Sequence, residues 1–328
     1  MSLPNVSVII IGKDEEKNLF RTFQSVQSMN YPDSCYETIY VDTGSKDGSI
    51  DIAKQFTNRI YLEKNPWSTP GLARNRGIME ANYDIVHLLD GDIEIHPDYL
   101  AEAVDFLQSG DAEAFFGYLT ERHGGINQVL LSHWEKKKRG YVSTSGGGGT
   151  YLRKPLMEIN GYDERIRKGQ EIELGERFIK SGYRIWYEPI PMGIHNYDVH
   201  NLRSMLRIPY IAGKSMAYSA MLDSGSDYVL NQKQMSKRNI FFNASFYFFL
   251  LFVFISIYPF LLFLSFFLIY LSYKFVKARA FRSPKTFKYH LVNSTYRFIM
   301  FWGQIHVLYG IYISQNLDKP GVKQVINA

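Results

Sequence analysis

Asp90-Gly91-Asp92 sets two carboxylates one residue apart, directly after the apolar run Ile85-Val86-His87-Leu88-Leu89. A hard divalent cation takes oxygen ligands, and Mg²⁺ keeps coordination positions open for substrate phosphates. A cation bridging a diphosphate neutralises negative charge as a leaving group departs. The triplet alone is a common accident; its place after a strand gives it weight. Two more acidic positions follow apolar runs in the same way, Asp14 after Val6–Ile11 and Asp42 after Thr38-Ile39-Tyr40-Val41. Asp is frequent in turns and helix caps, so each has a structural explanation on its own. Three such loops together imply acidic groups aimed at one rim.

The elements that must build this rim are short and alternate. Val6-Ser7-Val8-Ile9-Ile10-Ile11 is β-branched and ends at Gly12, the pattern of a buried strand. Lys13-Asp14-Glu15-Glu16 then opens a helix with apolar positions Leu19, Phe23 and Val26. The second strand runs into Asp42-Thr43-Gly44-Ser45-Lys46-Asp47-Gly48, a loop of turn formers, and a helix follows around Ile50 to Phe56. Strands separated by helices of this length predict an α/β domain with a mostly parallel sheet, right-handed crossovers and helices on its faces. In such sheets ligands bind at the carboxyl ends of the strands.

The character of the chain changes near Lys233. Phe241 to Tyr273 holds no charged residue. As one helix it would be about 50 Å long, against a hydrocarbon core of about 30 Å. Pro259 interrupts it near the middle. Lys233, Lys237 and Arg238 precede it; Lys274, Lys277, Arg279, Arg282, Lys285 and Lys288 follow. Positive charge marks the cytosolic side, and here it marks both ends. A hairpin over 241–273 satisfies both flanks, either re-entrant or as two full spans. The apolar segment 290–314 carries Arg297, Gln304 and His306, and is either a third span or an interfacial helix. The expected division is therefore a catalytic domain over 1–230 and a membrane-associated helical region over 231–328.

The composition is consistent with this division. A mean hydropathy of -0.19 averages a polar first part with a greasy end. The net charge of +5 is mild, and no nucleic-acid partner is expected. The single cysteine, Cys35, excludes an internal disulfide framework and a cysteine-cluster metal site. Val6–Ile11 is too short for a signal peptide and lacks a basic leader, so the first domain is expected to stay in the cytosol, at the inner membrane.

The ordered set of motifs resembles family 2 glycosyltransferases, inverting enzymes of the GT-A fold. It starts at Val6–Ile10 with Asp14-Glu15-Glu16. It continues through Val41-Asp42-Thr43-Gly44-Ser45-Lys46-Asp47-Gly48-Ser49, Gly71-Leu72-Ala73-Arg74-Asn75-Arg76-Gly77-Ile78 and Leu89-Asp90-Gly91-Asp92. It closes with Gly161-Tyr162-Asp163-Glu164 and Gly169-Gln170-Glu171-Ile172-Glu173-Leu174-Gly175-Glu176-Arg177. The resemblance covers roughly residues 5–200, and the hydrophobic hairpin looks like the anchor of bacterial members that make surface polysaccharides. It implies a nucleotide-diphosphate sugar donor and a Mg²⁺ or Mn²⁺ cofactor. Asp14, Glu15, Asp42, Arg74 and Asp90 would face the donor, and Asp92 would hold the metal. Glu171 falls at the catalytic-base position, where a carboxylate takes the acceptor hydroxyl proton; Glu173 is the fallback. The plainer reading of Glu171 is a helix N-terminal carboxylate favoured by the macrodipole. His195 is either a ligand near the metal or a structural histidine. Gly148, in the run Gly146–Gly149, is either linker or backbone approaching the donor. Arg203 and Arg207 share a helix face and meet either phosphate or solvent. Lys136–Arg139 is read as a solvated cluster that can also approach anionic headgroups.

Some positions depart from the family pattern. Thr43 stands where a second Asp is common, and Gln170-Glu171 replaces a Glu-Asp pair. The Q-x-x-R-W motif of processive synthases is absent, so transfer of one sugar per binding event is expected. Membrane attachment points to a lipid-linked or polysaccharide acceptor. Were the acceptor polyprenyl phosphate, its oxygen would already be ionised, and a base would be unnecessary. A sugar-nucleotide pyrophosphorylase would open with a basic Gly-rich loop where this chain has Gly12-Lys13-Asp14-Glu15. A dinucleotide oxidoreductase would need G-x-G-x-x-G after the first strand. A non-catalytic membrane scaffold of the same fold is the remaining alternative.

Overall fold

The structure is a computed structural model that describes residues 3–63, 69–122, 137–144, 148–166 and 169–196. The chain divides into two units, Met1–Asp198 and Val199–Ala328. The expected hairpin over 241–273, the helix over 290–314, Arg203 and Arg207 lie outside the described residues. No helix among the described residues is long and apolar enough to cross a membrane.

Strand β1 (Val6–Gly12) sits between β2 (Tyr36–Asp42) and β4 (Ile85–Asp90), parallel to both. Short β3 (Ile60–Leu62) adds to β2, also parallel. The connections are α1 (Glu16–Gln27), α2 (Ser49–Ala53) and α3 (Pro70–Glu80). Val6, Val8, Ile9 and Ile10 are fully buried, because helices cover both sides of β1 and leave no face for polar alternation. Side chains alternate along a strand, and that alternation assigns the helices. Tyr40, level with Ile10, meets Phe23 of α1, whereas α3 lies on Ile9. Gly77 permits that approach: a Cβ there would overlap Ile9 Cγ2. Thr69 caps α3, accepting from Leu72 N at 3.2 Å, and Pro70 occupies the first turn.

The other half of the sheet corrects the expectation of a mostly parallel sheet. The order is β3-β2-β1-β4, followed by the strands over Gly149–Leu152, Ala114–Glu121, Ile185–His195 and Ile93–Ile95. Strand β8 (Gly149–Leu152) runs antiparallel to β4 and to β6 (Ala114–Glu121). Long β9 (Ile185–His195) is parallel to β6, and takes β5 (Ile93–Ile95) and β7 (Gly140–Val142) as antiparallel partners at opposite ends. Only the segments joined by α1, α2 and α3 form a continuous parallel run; beyond β4 the sheet is mixed. Helix α4 (Tyr99–Gln108) covers the α1 side, with Tyr99 against His87. Two further helices follow β8, α5 (Arg153–Glu158) and α6 (Gln170–Lys180). Phe178 of α6 meets Tyr151 on the α3 side, so α3 and α6 share a face.

This topology sets the site. Chain order reverses between β1 and β4, and an open α/β sheet binds its ligands beyond the carboxyl ends at such a switch point. In register, Gly12 lies beside Asp42 and Ile11 beside Asp90, so three strands end level.

Candidate active site

The first two loops at this rim are laced together. The amides of Asp14, Glu15 and Glu16 donate to Ser45 Oγ (2.8 Å), Ser49 Oγ (2.9 Å) and Asp47 Oδ2 (3.0 Å). In return Asp14 Oδ1 accepts from Lys46 N at 2.7 Å, and Glu16 Oε2 from Gly48 N at 3.2 Å. Asp14 holds this exchange with φ of 56°, a left-handed conformation that short polar side chains tolerate. Asp42 is turned inward and only 1% exposed. Its Oδ1 accepts from Gly44 N and Ser45 N, both at 2.8 Å, and its Oδ2 from the Ser45 and Tyr40 hydroxyls. Both oxygens are engaged, so Asp42 shapes the loop whose exterior lies towards the crevice.

Beside that loop, Gly91 N donates to Ile11 O at 2.8 Å and Thr22 Oγ1 donates to Gly91 O at 2.8 Å, which fixes the turn between Asp90 and Asp92. Glu15 lies over this turn: its Cγ would meet a Cβ at Gly91. Burial, reinforced by the charge of Asp92, raises its carboxyl to about 7. The Asp90 carboxyl is also pushed up by desolvation of its recess, and Arg74 pulls it the other way.

Arg74, on α3, is 2% exposed. Nη2 donates to Asp90 Oδ1 at 2.7 Å and Nη1 to Glu171 Oε1 at 3.1 Å. Its guanidinium carbon lies 5.3 Å from the centroid of the Tyr162 ring. Burial works against its charge, and Asp90, Tyr162 and Glu171 outweigh it, so the cation is held well above its ordinary range. Glu171 occupies the first turn of α6 beside Gly169, whose φ of 80° starts the helix. Thr144 Oγ1 donates to the Glu171 carbonyl at 3.2 Å. The fallback residue is packed differently. Glu173 is 1% exposed and clasps Arg177 through both oxygens, at 2.5 and 2.8 Å, while Arg177 holds the carbonyls of Ile159 and Gly161.

On the other side of the turn, His195 closes β9. Its Nε2 lies 3.2 Å from Asp92 Oδ2 and its Nδ1 2.7 Å from Glu121 Oε1. Burial opposes protonation, but hydrogen bonds to Asp92 and Glu121 prevail and raise the imidazole to about 10. Behind the pair, Asn196 N donates to Asp92 O at 2.8 Å, and Asn196 Nδ2 and Arg122 Nη2 donate to the two oxygens of Glu94, at 2.9 and 2.5 Å. Among the described residues no group of three or more acidic, imidazole or thiol side chains is arranged to hold a metal ion. The Asp92 carboxylate and the His195 imidazole do converge, and Glu121 stands behind the imidazole in the manner of an outer hydrogen bond that orients a ligand; a cation there would take the place of the Nε2 proton. That donor set fits a cation completing its shell with phosphate oxygens.

Gly148 is placed by the fold: a Cβ there would lie 2.9 Å from Leu88 O, where β8 crosses the end of β4. Glu121, Glu94, Arg122 and Asn196 escaped the sequence reading. One signal was present, since the apolar run Ala114-Phe115-Phe116-Gly117-Tyr118-Leu119 is followed, after Thr120, by an acid, close to the signature that marked Asp42 and Asp90.

A β1–β4 switch point carrying these acidic groups is what a sugar-nucleotide transferase fold presents. Residues 7–155, just under half of the chain, match the model of Glycosyl transferase family 2. The chain is 27% identical over 237 residues to Glycosyltransferase AglE of Haloferax volcanii, spanning 68% of this chain and 76% of that one. Its fold is similar to that of mannosyltransferase PcManGT from Pyrobaculum calidifontis, solved with GDP-Man and Mn²⁺, with a TM-score of 0.64, 15% identity, and coverage of 94% of this chain and 88% of that one. S. aureus TarS, solved as residues 1–349 with UDP-GlcNAc, gives a TM-score of 0.51 at 16% identity and 70% coverage of each chain.

Proposed function

We propose that this chain is an inverting, metal-dependent glycosyltransferase that moves a single sugar from a nucleotide-diphosphate sugar to a hydroxyl of a lipid-linked or glycan acceptor. The observation that carries the reading is the pairing of two stations on one rim: Asp92 with His195 on one side, and Glu171 linked through Arg74 to Asp90 on the other. The donor complexes of PcManGT and TarS support a nucleotide-sugar donor. A cation held by Asp92 and His195 would neutralise the charge of the departing diphosphate. The imidazole ligand favours Mn²⁺ over Mg²⁺, whose shell is oxygen.

Glu171 performs the proton chemistry. Arg74 occupies its Oε1, and Oε2 has no hydrogen-bond partner among the described residues. The acceptor hydroxyl gives its proton to Glu171 as its oxygen forms the new bond to the anomeric carbon. The bond from that carbon to the diphosphate oxygen breaks on the opposite face, so configuration inverts. A retained carboxylate favours a hydroxyl over an already ionised polyprenyl phosphate. The uncharged run Phe241–Tyr273 with its basic flanks supports attachment to the inner membrane with the catalytic domain facing the cytoplasm.

Detergent-solubilised full-length protein, screened against UDP-, GDP- and dTDP-sugars with Mg²⁺ or Mn²⁺, tests the reading. Nucleotide release from one donor, stimulated by a bacterial lipid extract and lost in Asp92→Ala, is the expected outcome. Silence across all donors, with no calorimetric binding, moves the conclusion to a scaffold of the same fold.

A further inference from the structure

Arg74 belongs to the sequence block that resemblance assigned to donor contact, yet its side chain is only 3% exposed. Its charge is spent inside the protein. One amino group engages Asp90, which lies two residues before the proposed metal ligand Asp92; the other engages Glu171, the proposed base. The flat guanidinium rests on Tyr162, which restrains rotation of the plane. A guanidinium presents its donors in a rigid fork, which a lysine cannot reproduce. Glu171 stands in the first turn of α6, and that turn docks on the same helix: Gln170, 3% exposed, sets its Oε1 where a Cβ at Gly71 would lie, one turn before Arg74. Both residues that open α6 are therefore seated on α3. Buried Arg74 Nε and Gln170 Oε1, a donor and an acceptor, have no protein partner among the described residues.

We propose that Arg74 is a positioning residue that sets the Glu171 carboxylate at a fixed separation from Asp90, so that the base is registered to the donor-binding turn through α3. This inference rests on the reading of Glu171 as the base. Donor binding does not use Arg74; catalysis does, through Glu171.

The test separates donor affinity from turnover in the full chain. Arg74→Lys keeps the charge but loses the rigid fork that holds two carboxylates at a fixed separation. The expected result is a loss of about 10²-fold in kcat for sugar transfer, the scale of a misplaced catalytic group, with the calorimetric Kd for the donor within twofold of wild type. In a Glu171→Gln background, Arg74→Lys should cost no further kcat, because its route of action is already gone. A weakened donor Kd with kcat preserved, or an undiminished loss in the Glu171→Gln background, would overturn the proposal while leaving the base intact. Full activity of Glu171→Gln would instead overturn the base assignment itself. Should Arg74→Lys fail to fold, Glu171→Asp carries the test on a half-buried side chain that no core packing depends on: one methylene shorter, it withdraws from Nη1. A fall in kcat at constant donor Kd supports the proposal, and unchanged kcat refutes it.

Discussion

Replacing Glu173 by Gln removes a carboxylate that is 2% exposed from a two-pronged pair with Arg177. Breaking a fully buried pair by deleting one partner costs about 3–5 kcal/mol, because a charge is left without compensation. Arg177 is 26% exposed and keeps the Ile159 and Gly161 carbonyls, so water and these acceptors reduce the loss. We expect about 2–3 kcal/mol, equivalent to a fall in Tm of roughly 4–12 °C for a unit of this size. Folded Glu173→Gln protein should turn over donor at the wild-type rate. Glu171→Gln, two residues earlier, should behave in the opposite way. Its side chain is 21% exposed, the amide oxygen still accepts from Arg74, and Arg74 keeps Asp90. Tm should move little, while kcat falls by about 10²–10⁴, the scale of a lost general base. Paired thermal melts and initial rates on both variants decide the matter. Unchanged Tm with abolished turnover in Glu173→Gln, beside an active Glu171→Gln, would refute the assignment.

Two other outcomes check the fold. Gly77→Ala should destabilise by about 1–3 kcal/mol through overpacking against Ile9, measured by chemical denaturation, with kcat intact in the folded fraction. His87, fully buried and bonded to Thr150 Oγ1 at 3.0 Å, is depressed by burial to about 3 from its ordinary 6.5. The unfolded chain therefore binds the extra proton first, so the stability associated with neutral His87 is complete above pH 6.5 and declines as pH falls towards 3. At pH 5 the loss is about 2 kcal/mol, and His87→Leu should remove that share of the acid sensitivity in denaturation curves taken at pH 7.5 and 5. An identical pH dependence in the variant would place the sensitivity elsewhere.

Local signals carried the parallel half of the domain. Strands β1, β2 and β4 announced themselves as β-branched runs closing on turn formers, and their ends supplied Asp42 and Asp90. The mixed half was harder for a physical reason. Strand β9 contains Pro189 and Pro191, which argue against an internal strand. The register against β6 shifts between Phe116 and Tyr118, where Tyr187 and Pro191 are the partners, so an irregularity absorbs the prolines. Without that pairing, Glu121 had no visible route to His195, although the two are level across the sheet. Arg74 and Glu171 were both picked out, but they lie 97 residues apart and only tertiary packing reveals their contact. Spacing likewise could not separate Glu171 from Glu173, which differ in burial.

The arrangement at the start of α1 bears on which phosphate chemistry the rim serves. In dinucleotide and P-loop folds the amides at this helix terminus receive the phosphate, aided by the helix dipole. Here three amides leading into α1 are taken by Ser45, Ser49 and Asp47, and the carboxylates of Asp14, Glu16 and Asp47 crowd the same spot. A phosphate arriving there would displace two hydroxyls and meet three negative charges. The first crossover loop is thus closed to phosphate, which argues against both the oxidoreductase and the pyrophosphorylase. On the proposed reading, a diphosphate is left with the neighbouring strand end, where Asp92 and His195 converge and a cation would reconcile phosphate with carboxylate. On that reading, the acidic lacing that seals one loop directs the donor to the other and brings the scissile bond onto the rim that Glu171 shares.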